Sequence, residues 1–366
     1  MKRFSFLLGF LVLCSFAAGS ASMGAELDPE FKAARKLESL CDYTFFSNPE
    51  EDGDWENGKI VYEDDEGQIQ ELPITEASLE CETLNAKIIK QIMKLKHLRV
   101  LSIQFCSLQD VEFPVHELKE LEELEILQNF FPYEDDEVDD SSEEELPAPA
   151  EERPIPQRWC ESIGASRTIR ILRIPAQKQV IQEVLKMPRL QSLTLNNFKG
   201  GDLLPMLLPL KDSLRELEIQ CEMTPQEAAD VLKNFTSLQA LALECFRMGA
   251  PCDDFLKAIK RLPLRYLAIS DGKIGPEGEK ILREWETLQE VVLPRGFPEE
   301  RFKALEKIEV PVLLYQLNQD KELDGTQKIE MRQKFFDEVW PRSSRIDKEG
   351  NYIHWAEIHS GLWMVH

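Results

Sequence analysis

The sequence predicts an α/β solenoid in which a curved parallel sheet lies inside and helices lie outside, with a cap at each end. Three observations predict it. A short phrase, aliphatic-x-x-aliphatic-x-aliphatic, occurs eight times. The copies start 21 to 26 residues apart, except for one interval of 48 residues that equals two periods. Apolar residues at helical spacing follow several copies. Because one such unit cannot bury its own apolar face, the pattern favours a stack of units.

Each unit is predicted to be a strand followed by a helix. The end of the phrase alternates apolar and polar residues, which is typical of a short strand with one buried face. Thr224, Pro225 and Glu227 predict a helix start with a capping box, and Asp253 and Pro276 open two similar helical patterns. The eight copies of the phrase begin at Leu98, Leu121, Ile169, Leu190, Leu214, Leu238, Leu264 and Leu288.

These phrases resemble the leucine-rich-repeat family. The family consensus has Asn or Cys eight residues after the first leucine, where the first two copies have Cys106 and Asn129. The helical halves are similar to the ribonuclease-inhibitor-like branch, although the period here is shorter. The resemblance covers about residues 78–315 and implies a protein-binding scaffold whose ligand lies on the concave sheet. Later copies depart from the consensus and have Phe198, Glu222, Phe246 and Gly272 at that position.

The first 25 residues predict a secretory signal peptide. Lys2 and Arg3 precede a short apolar run, and small residues follow it. Cleavage after Ala21 and cleavage after Ala25 both fit, and a lipoprotein or an uncleaved anchor are the alternatives. We therefore expect a secreted or periplasmic protein that is not inserted in a membrane once the signal has been cleaved.

Seven cysteines remain if the signal is removed, and an odd number cannot pair completely within one chain. An exported protein can form disulfides, but the scattered spacing does not fix the pairs. Several of these cysteines fall inside the repeat pattern, where cysteine can serve as a small buried hydrophobic residue. The seven are Cys41, Cys81, Cys106, Cys160, Cys221, Cys245 and Cys252.

The segments outside the repeats have compositions of their own. Residues 26–77 predict an N-terminal cap with a β-hairpin between 59–62 and 68–72. Residues 133–153 interrupt the repeats, and eleven of them are Asp or Glu. Such a run repels itself, so we expect a disordered insert; an arm for a basic partner and a weak calcium collector are alternatives. The aromatic residues of 316–366 predict a C-terminal cap over the last repeat or, alternatively, a small interaction module.

No catalytic, cofactor or metal site is predicted, and we expect no enzyme. The sequence has no glycine-rich phosphate loop and no G-x-S-x-G motif. His354 and His359 are five residues apart, whereas zinc-binding histidines on a helix need a spacing of four. A calcium loop that begins at Asp320 would have Met331 where a bidentate carboxylate is required.

The formal net charge of −24 bears on the partner class. Nucleic acid is a poor partner, since binding to it depends on cationic contacts to phosphate. Anionic membrane surfaces are disfavoured for the same reason. A protein or peptide, of basic character, is therefore the partner class that the charge favours.

Strand alternation places a set of charged and aromatic side chains on the concave face. We predict that this face binds the partner without catalysis and that Tyr266 is a candidate anchor. The alternative function is a structural or envelope protein that self-associates through its ends. The candidate residues for partner binding are Glu123, Glu125, Arg173, Glu216, Glu218, Glu244, Tyr266 and Glu290.

Overall fold

The computed structural model describes most of the chain between residues 28 and 305. The described residues are 28–47, 54–56, 59–63, 69–104, 107–127, 154–198, 201–221, 223–244, 249–269, 272–294, 297–298, 301 and 305. The predicted signal peptide, the acidic insert and the C-terminal segment 316–366 lie outside these residues, so their predictions stay predictions.

A ten-stranded sheet forms the centre of the described chain. Its strand order is β1-β5-β7-β9-β10-β11-β12-β13-β14-β15, and all neighbours are parallel except β1 and β5. The strands of this sheet are β1 (Tyr43–Ser47), β5 (Glu76–Glu80), β7 (Val100–Gln104), β9 (Glu123–Leu127), β10 (Ile171–Pro175), β11 (Ser192–Phe198), β12 (Glu216–Cys221), β13 (Ala240–Glu244), β14 (Tyr266–Ile269) and β15 (Glu290–Val292).

The repeated phrase sets the register of the parallel strands. Its fourth residue occupies the same level in every repeat, so that Leu101 pairs with Leu124, and Leu193 with Leu217. These side chains are buried and form a continuous apolar ladder on the side of the sheet that faces the helices. Each buried methylene group stabilises the folded state by about 0.8 kcal/mol. This ladder is therefore the main stabilising feature of the stack.

The helices pack beside one another in a layer on one side of the sheet. Parallel strands need crossover connections, and right-handed crossovers put every connecting helix on the same face. The connection after β11 is a 3₁₀ helix, Gly201–Leu210, since Pro205 and Pro209 are incompatible with an α-helix interior. The helices are α1 (Pro29–Glu38), α2 (Ala86–Ile92), α3 (Gln157–Gly164), α4 (Lys178–Val184), α5 (Pro225–Leu232), α6 (Asp253–Ile259) and α7 (Pro276–Arg283), with a further 3₁₀ turn at Val115–Glu117.

The start of α5 confirms the predicted capping box. The Thr224 hydroxyl accepts a hydrogen bond from the Glu227 N–H at 3.2 Å, and the Glu227 carboxylate accepts one from the Thr224 N–H at 2.8 Å. Pro225 occupies the first turn, where a missing N–H costs no hydrogen bond. The predicted fold class, a solenoid of stacked strand–helix repeats, is therefore confirmed at the level of the sheet and of its local signals.

The N-terminal part covers the first repeat. Helix α1 packs against α2, and β1 adds to the sheet antiparallel to β5. A separate antiparallel sheet consists of β2 (Asp54–Glu56), β3 (Lys59–Glu63) and β4 (Ile69–Leu72), and β3 and β4 pair where the sequence predicts a hairpin. A short parallel pair, β6 (Thr83–Leu84) and β8 (Ser107–Leu108), follows β5 and β7.

Strand β5 belongs to a ninth copy of the phrase, which was not predicted from the sequence. The copy is formed by Ile74, Ala77 and Leu79, and all three side chains are buried. Alanine at the fourth position hid it among longer aliphatic residues. The parallel sheet therefore begins one repeat earlier than the phrase at Leu98 indicates, and β5 starts at Glu76 rather than after residue 77.

A close approach of α3 and α4 gives a first prediction. A Cβ atom at Gly164 would lie 2.8 Å from the Glu183 carbonyl oxygen and 2.9 Å from the Glu183 Cβ. We expect Gly164→Ala to destabilise the protein by about 1–3 kcal/mol, because the two helices must separate. Urea denaturation measures this, with Arg158→Ala on the exposed side of α3 as the control. Equal unfolding midpoints for the two variants would contradict the prediction.

Candidate functional site

Two rows of side chains stand on the face of the sheet opposite the helices, which we call the open face. The paired strand residues define them, because every second residue of a strand points to the same side. Row one is Glu76, Val100, Glu123, Ile171, Ser192, Glu216, Ala240, Tyr266 and Glu290. Row two is Ser78, Ser102, Glu125, Arg173, Thr194, Glu218, Ala242, Ala268 and Val292.

Five of the eight predicted residues meet on the open face around one guanidinium group. The Arg173 Nη1 atom lies 3.0 Å from a Glu123 carboxylate oxygen and 3.8 Å from one of Glu125. Glu216 and Glu218 also act electrostatically on Arg173. We call these four glutamates and Arg173 the acidic cluster. Its formal charge is strongly negative, since four carboxylates face one cation.

Neighbouring hydroxyl groups hold the carboxylates of the acidic cluster in place. The Ser102 hydroxyl donates to Glu125 at 2.5 Å, and the Ser192 hydroxyl donates to Glu216 at 2.7 Å. Thr194 donates to Glu218 at 3.2 Å. Each donor stands one strand away at the same level of its row. These donors therefore fix the orientation of the carboxylates on the open face.

Burial changes the protonation of the acidic cluster. The pKa of Glu123 is raised to about 7, chiefly by burial and also by the carboxylates of Glu125, Glu76 and Glu216, while Arg173 opposes the rise. Burial alone would lower the pKa of the Arg173 guanidinium, but the surrounding carboxylates outweigh this effect and raise it. The charge of the cluster therefore changes near neutral pH.

The other end of the open face is buried. Tyr266 packs with the small side chains of Ala240, Ala242 and Ala268, and it is only 6% exposed. Glu290, its neighbour in row one, is 0% exposed. The alternation of side chains along a strand indicated which face Tyr266 and Glu290 occupy, but not how exposed they are. Tyr266 and Glu290 are thus buried in this structure, and their role in partner binding stays a prediction.

The last predicted residue, Glu244, ends β13, but its side chain lies outside the described part of the structure. Glu76 was missed, because its strand belongs to the overlooked copy of the phrase. It belongs to row one and accepts a hydrogen bond from the Ser47 hydroxyl at 2.8 Å. The signal that could have found it is the phrase at Ile74 with a small residue allowed at the fourth position.

A cavity of about 430 Å³ lies at Val115–Glu117 and α3. In it, the His116 Nδ1 atom lies 2.9 Å from the Ser162 hydroxyl oxygen. Catalytic serine–histidine pairs use Nε2 towards the serine and an acidic group on Nδ1. Here the serine occupies Nδ1, so the pair does not have the geometry of a catalytic triad.

Within the part of the chain that the structure describes, no group of three or more His, Cys, Asp or Glu side chains is placed to hold a metal ion. None of the helices described is both long enough and apolar enough to span a bilayer.

Comparisons with known proteins found similarity to solved structures only. No protein-family model matches the sequence, and no curated protein matches it. An internalin from Listeria monocytogenes is 14% identical with a TM-score of 0.37, and the match covers 64% of this chain and 59% of that one. A leucine-rich-repeat protein from Leptospira interrogans is 16% identical with a TM-score of 0.35, with coverage of 63% and 51%. TLR13 in its complex with ssRNA13 is 12% identical with a TM-score of 0.33, with coverage of 63% and 35%. The match thus spans about a third to three fifths of the length of these structures.

Proposed function

We propose that this chain, whose fold is that of the leucine-rich-repeat proteins, is an exported scaffold that binds a basic protein or peptide on the open face of its sheet without catalysis. The observation that carries the proposal is the acidic cluster, in which four glutamates surround Arg173. Proteins with this fold commonly bind other proteins. Export is supported by the N-terminal 25 residues, which have the layout of a signal peptide.

The acidic cluster favours a partner that brings positive charge. Repulsion among the carboxylates contributes to the raised pKa of Glu123. A lysine or arginine side chain of the partner would relieve that repulsion and would find hydrogen-bond acceptors already oriented by Ser192 and Thr194. Charge-assisted hydrogen bonds of this kind are about twice as strong as neutral ones. Glu216 and Glu218 are partly exposed, so a partner can reach them on the open face.

The experiment has two stages. The mature chain is first used as bait in an extract of its source organism at low and at moderate salt, and the bound proteins are identified by mass spectrometry. Each recovered protein is then titrated against the purified chain. A partner that is held by the acidic cluster is released by salt, because ionic strength screens charges that are partly exposed.

For the recovered partner, we expect the double variant Glu216→Lys/Glu218→Lys to weaken binding by at least about tenfold, since attraction becomes repulsion. Glu286→Lys is the matched control, because Glu286 is an exposed glutamate in the turn after α7. Calorimetric titration measures the affinities of both variants. Unchanged affinity of the double variant would exclude the acidic cluster as the binding site.

A second candidate function is self-association through the ends of the sheet. Strand β1 is the edge strand, and its side chains Tyr43 and Phe45 are 55% and 48% exposed. An edge strand with exposed aromatic side chains is a template for pairing with another chain. Sedimentation of the full chain, of a chain that ends at residue 317 and of the variant Tyr43→Ser/Phe45→Ser tests this function. A monomer in all three samples contradicts it.

A further inference from the structure

Two cysteines meet where the N-terminal part joins the first parallel strand. Cys41 lies between α1 and β1, and Cys81 directly follows β5 and is 2% exposed. Hydrogen bonds fix the backbone beside both residues. The Asp42 N–H donates to the Glu80 carbonyl at 2.9 Å, and the Glu82 N–H donates to the Asp42 carboxylate at 3.0 Å. The positions of both cysteines are therefore determined by the pairing of β1 with β5.

The two thiols contact each other. A hydrogen bond between the Cys41 and Cys81 side chains raises the pKa of the Cys41 thiol above its usual range, and burial is the second cause of this rise. In the antiparallel ladder, Tyr43 pairs with Glu80, so Cys81 comes opposite Asp42, and Cys41 is the residue directly before Asp42. Disulfides join cysteines whose Cα atoms are about 4.4–6.8 Å apart, and the hydrogen bond between the two thiols already brings the sulfurs together in the reduced protein. A covalent bond between the sulfurs thus requires little backbone movement.

The other cysteines whose side chains the structure describes have different surroundings. Cys160 is buried next to α4 and contacts the Ile155 carbonyl, and Cys252 is buried before α6 and contacts the Ala250 carbonyl. Burial raises the pKa of Cys160 to about 12 and that of Cys252 to about 11. Their thiols serve as small apolar groups of the core, which is the usual role of a buried free cysteine.

We propose that Cys41 and Cys81 are a modification site at which a disulfide forms and ties the N-terminal part of the chain to the first repeat. The bond would close a loop that contains β1 to β5, including the edge strand of the main sheet. Edge strands and terminal segments open most readily in a folded protein. A cross-link at this point would therefore hold the end of the stack closed.

The oxidant would be a reactive disulfide in the compartment to which the chain is exported, carried by an oxidoreductase or by a small thiol compound. The thiolate of one cysteine attacks the donor disulfide, forms a mixed disulfide and releases one donor thiolate. The second cysteine then attacks the protein sulfur of the mixed disulfide and releases the other donor thiolate. Two electrons pass from the two cysteine sulfurs to the donor, and the two protons of the cysteines end on the two donor thiols.

The timing of this reaction follows from the packing. The attacking species is the thiolate, and the folded cap disfavours it, because Cys81 is buried and the thiols are hydrogen-bonded to each other. We therefore expect oxidation during folding, before β1 closes over Cys81. The folded, reduced protein should react slowly with the same donor.

Peptide mapping tests the bond directly. The full chain is refolded in a buffer of reduced and oxidised glutathione, remaining thiols are alkylated, and the protein is digested without reduction. We expect one peptide pair that joins Cys41 to Cys81 and has lost two hydrogen atoms, while Cys160 and Cys252 are alkylated. Alkylation of Cys41 and Cys81 after refolding, or a bond from either one to another cysteine, would overturn the proposal.

Thermal unfolding tests the effect of the bond. We expect the oxidised wild type to unfold about 5–10 °C above the reduced protein. Reductant should not change the midpoint of Cys41→Ser or Cys81→Ser, whereas it should still lower that of the control Cys160→Ser. Comparing each variant with and without reductant separates the cross-link from any packing defect caused by serine. An equal effect of reductant on the wild type and on Cys41→Ser would contradict the assignment.

Discussion

We expect Arg173→Met to destabilise the protein by about 3–5 kcal/mol at pH 8, the loss typical of a buried ion pair from which one partner is removed. The Arg173 side chain is 12% exposed, and so is that of Glu123, whose carboxylate lies 3.0 Å from it. Methionine keeps much of the length of the side chain but brings no charge. The carboxylates of the acidic cluster would then face one another without the positive charge of the Arg173 guanidinium.

The destabilisation should depend on pH. In the folded protein the pKa of Glu123 is raised to about 7 from an ordinary value of 4.5. Between these values the folded state binds more protons than the unfolded state, so the contribution of Glu123 to stability decreases as pH rises from 4.5 towards 7. Above pH 7 this full cost is present in the wild type, whereas in the variant the cost continues to grow up to its higher pKa. Removing Arg173 raises the pKa of Glu123 further, so the variant should lose more stability at pH 8 than at pH 5.

Urea denaturation at pH 5 and at pH 8 measures both effects. The variant Arg173→Met/Glu123→Gln is the control, because it removes one carboxylate together with its partner. We expect the double variant to recover about 1–2 kcal/mol of the loss at pH 8 and to show a weaker pH dependence. A loss that is the same at both pH values would contradict the electrostatic explanation and would indicate a simple packing defect.

The register of the sheet is the part of the fold that the sequence predicted best. Leucine at a fixed place in each phrase has one way to reach the core, so Leu193, Leu217 and Leu241 stand at one level. The start of a helix could be predicted equally well where the capping residues are close together in the sequence, as at Thr224. In a repeat protein the sequence pattern predicts the strand register, because neighbouring strands have the same pattern of apolar residues.

The candidate site was predicted only in part. Alternation placed Arg173 on the correct face, and the ion pair with Glu123 joins residues 50 positions apart in the chain. The exposure of these side chains could not be predicted from the sequence, because it depends on the residues that surround each of them in the fold. The small residues beside Tyr266 let its ring pack into an apolar cluster instead of standing free. The neighbouring thiols of Cys41 and Cys81 gave no sequence signal, since β1 is antiparallel and lies outside the repeats.

The second large effect concerns Trp159, which follows the acidic segment 133–153 in the chain and contacts residues that precede this segment. Its side chain is 0% exposed, and its indole N–H donates to the Val111 carbonyl at 2.7 Å. Its ring lies edge-on against Phe113, with centroids 4.9 Å apart. Helix α3 thus packs on the preceding repeat through Val111 and Phe113, which lie outside the repeated phrase.

We expect Trp159→Ala to destabilise the protein by about 3–5 kcal/mol, as is usual when a buried tryptophan is truncated. In a stack of repeats, stability is a sum of units and of contacts between neighbours. Because this contact joins two neighbours, the variant should also unfold less cooperatively, with a lower denaturant slope.

Urea denaturation followed by circular dichroism measures both quantities. Trp285→Ala is the matched control, since Trp285 is 5% exposed and its indole N–H donates to the Leu262 carbonyl, but it lies in an uninterrupted part of the stack. We expect the control to lose stability without a comparable fall in cooperativity. If Trp159→Ala costs less than about 1 kcal/mol, the residues that follow the insert do not depend on this contact, and other contacts, such as the pairing of β9 with β10, hold the stack together across the insert.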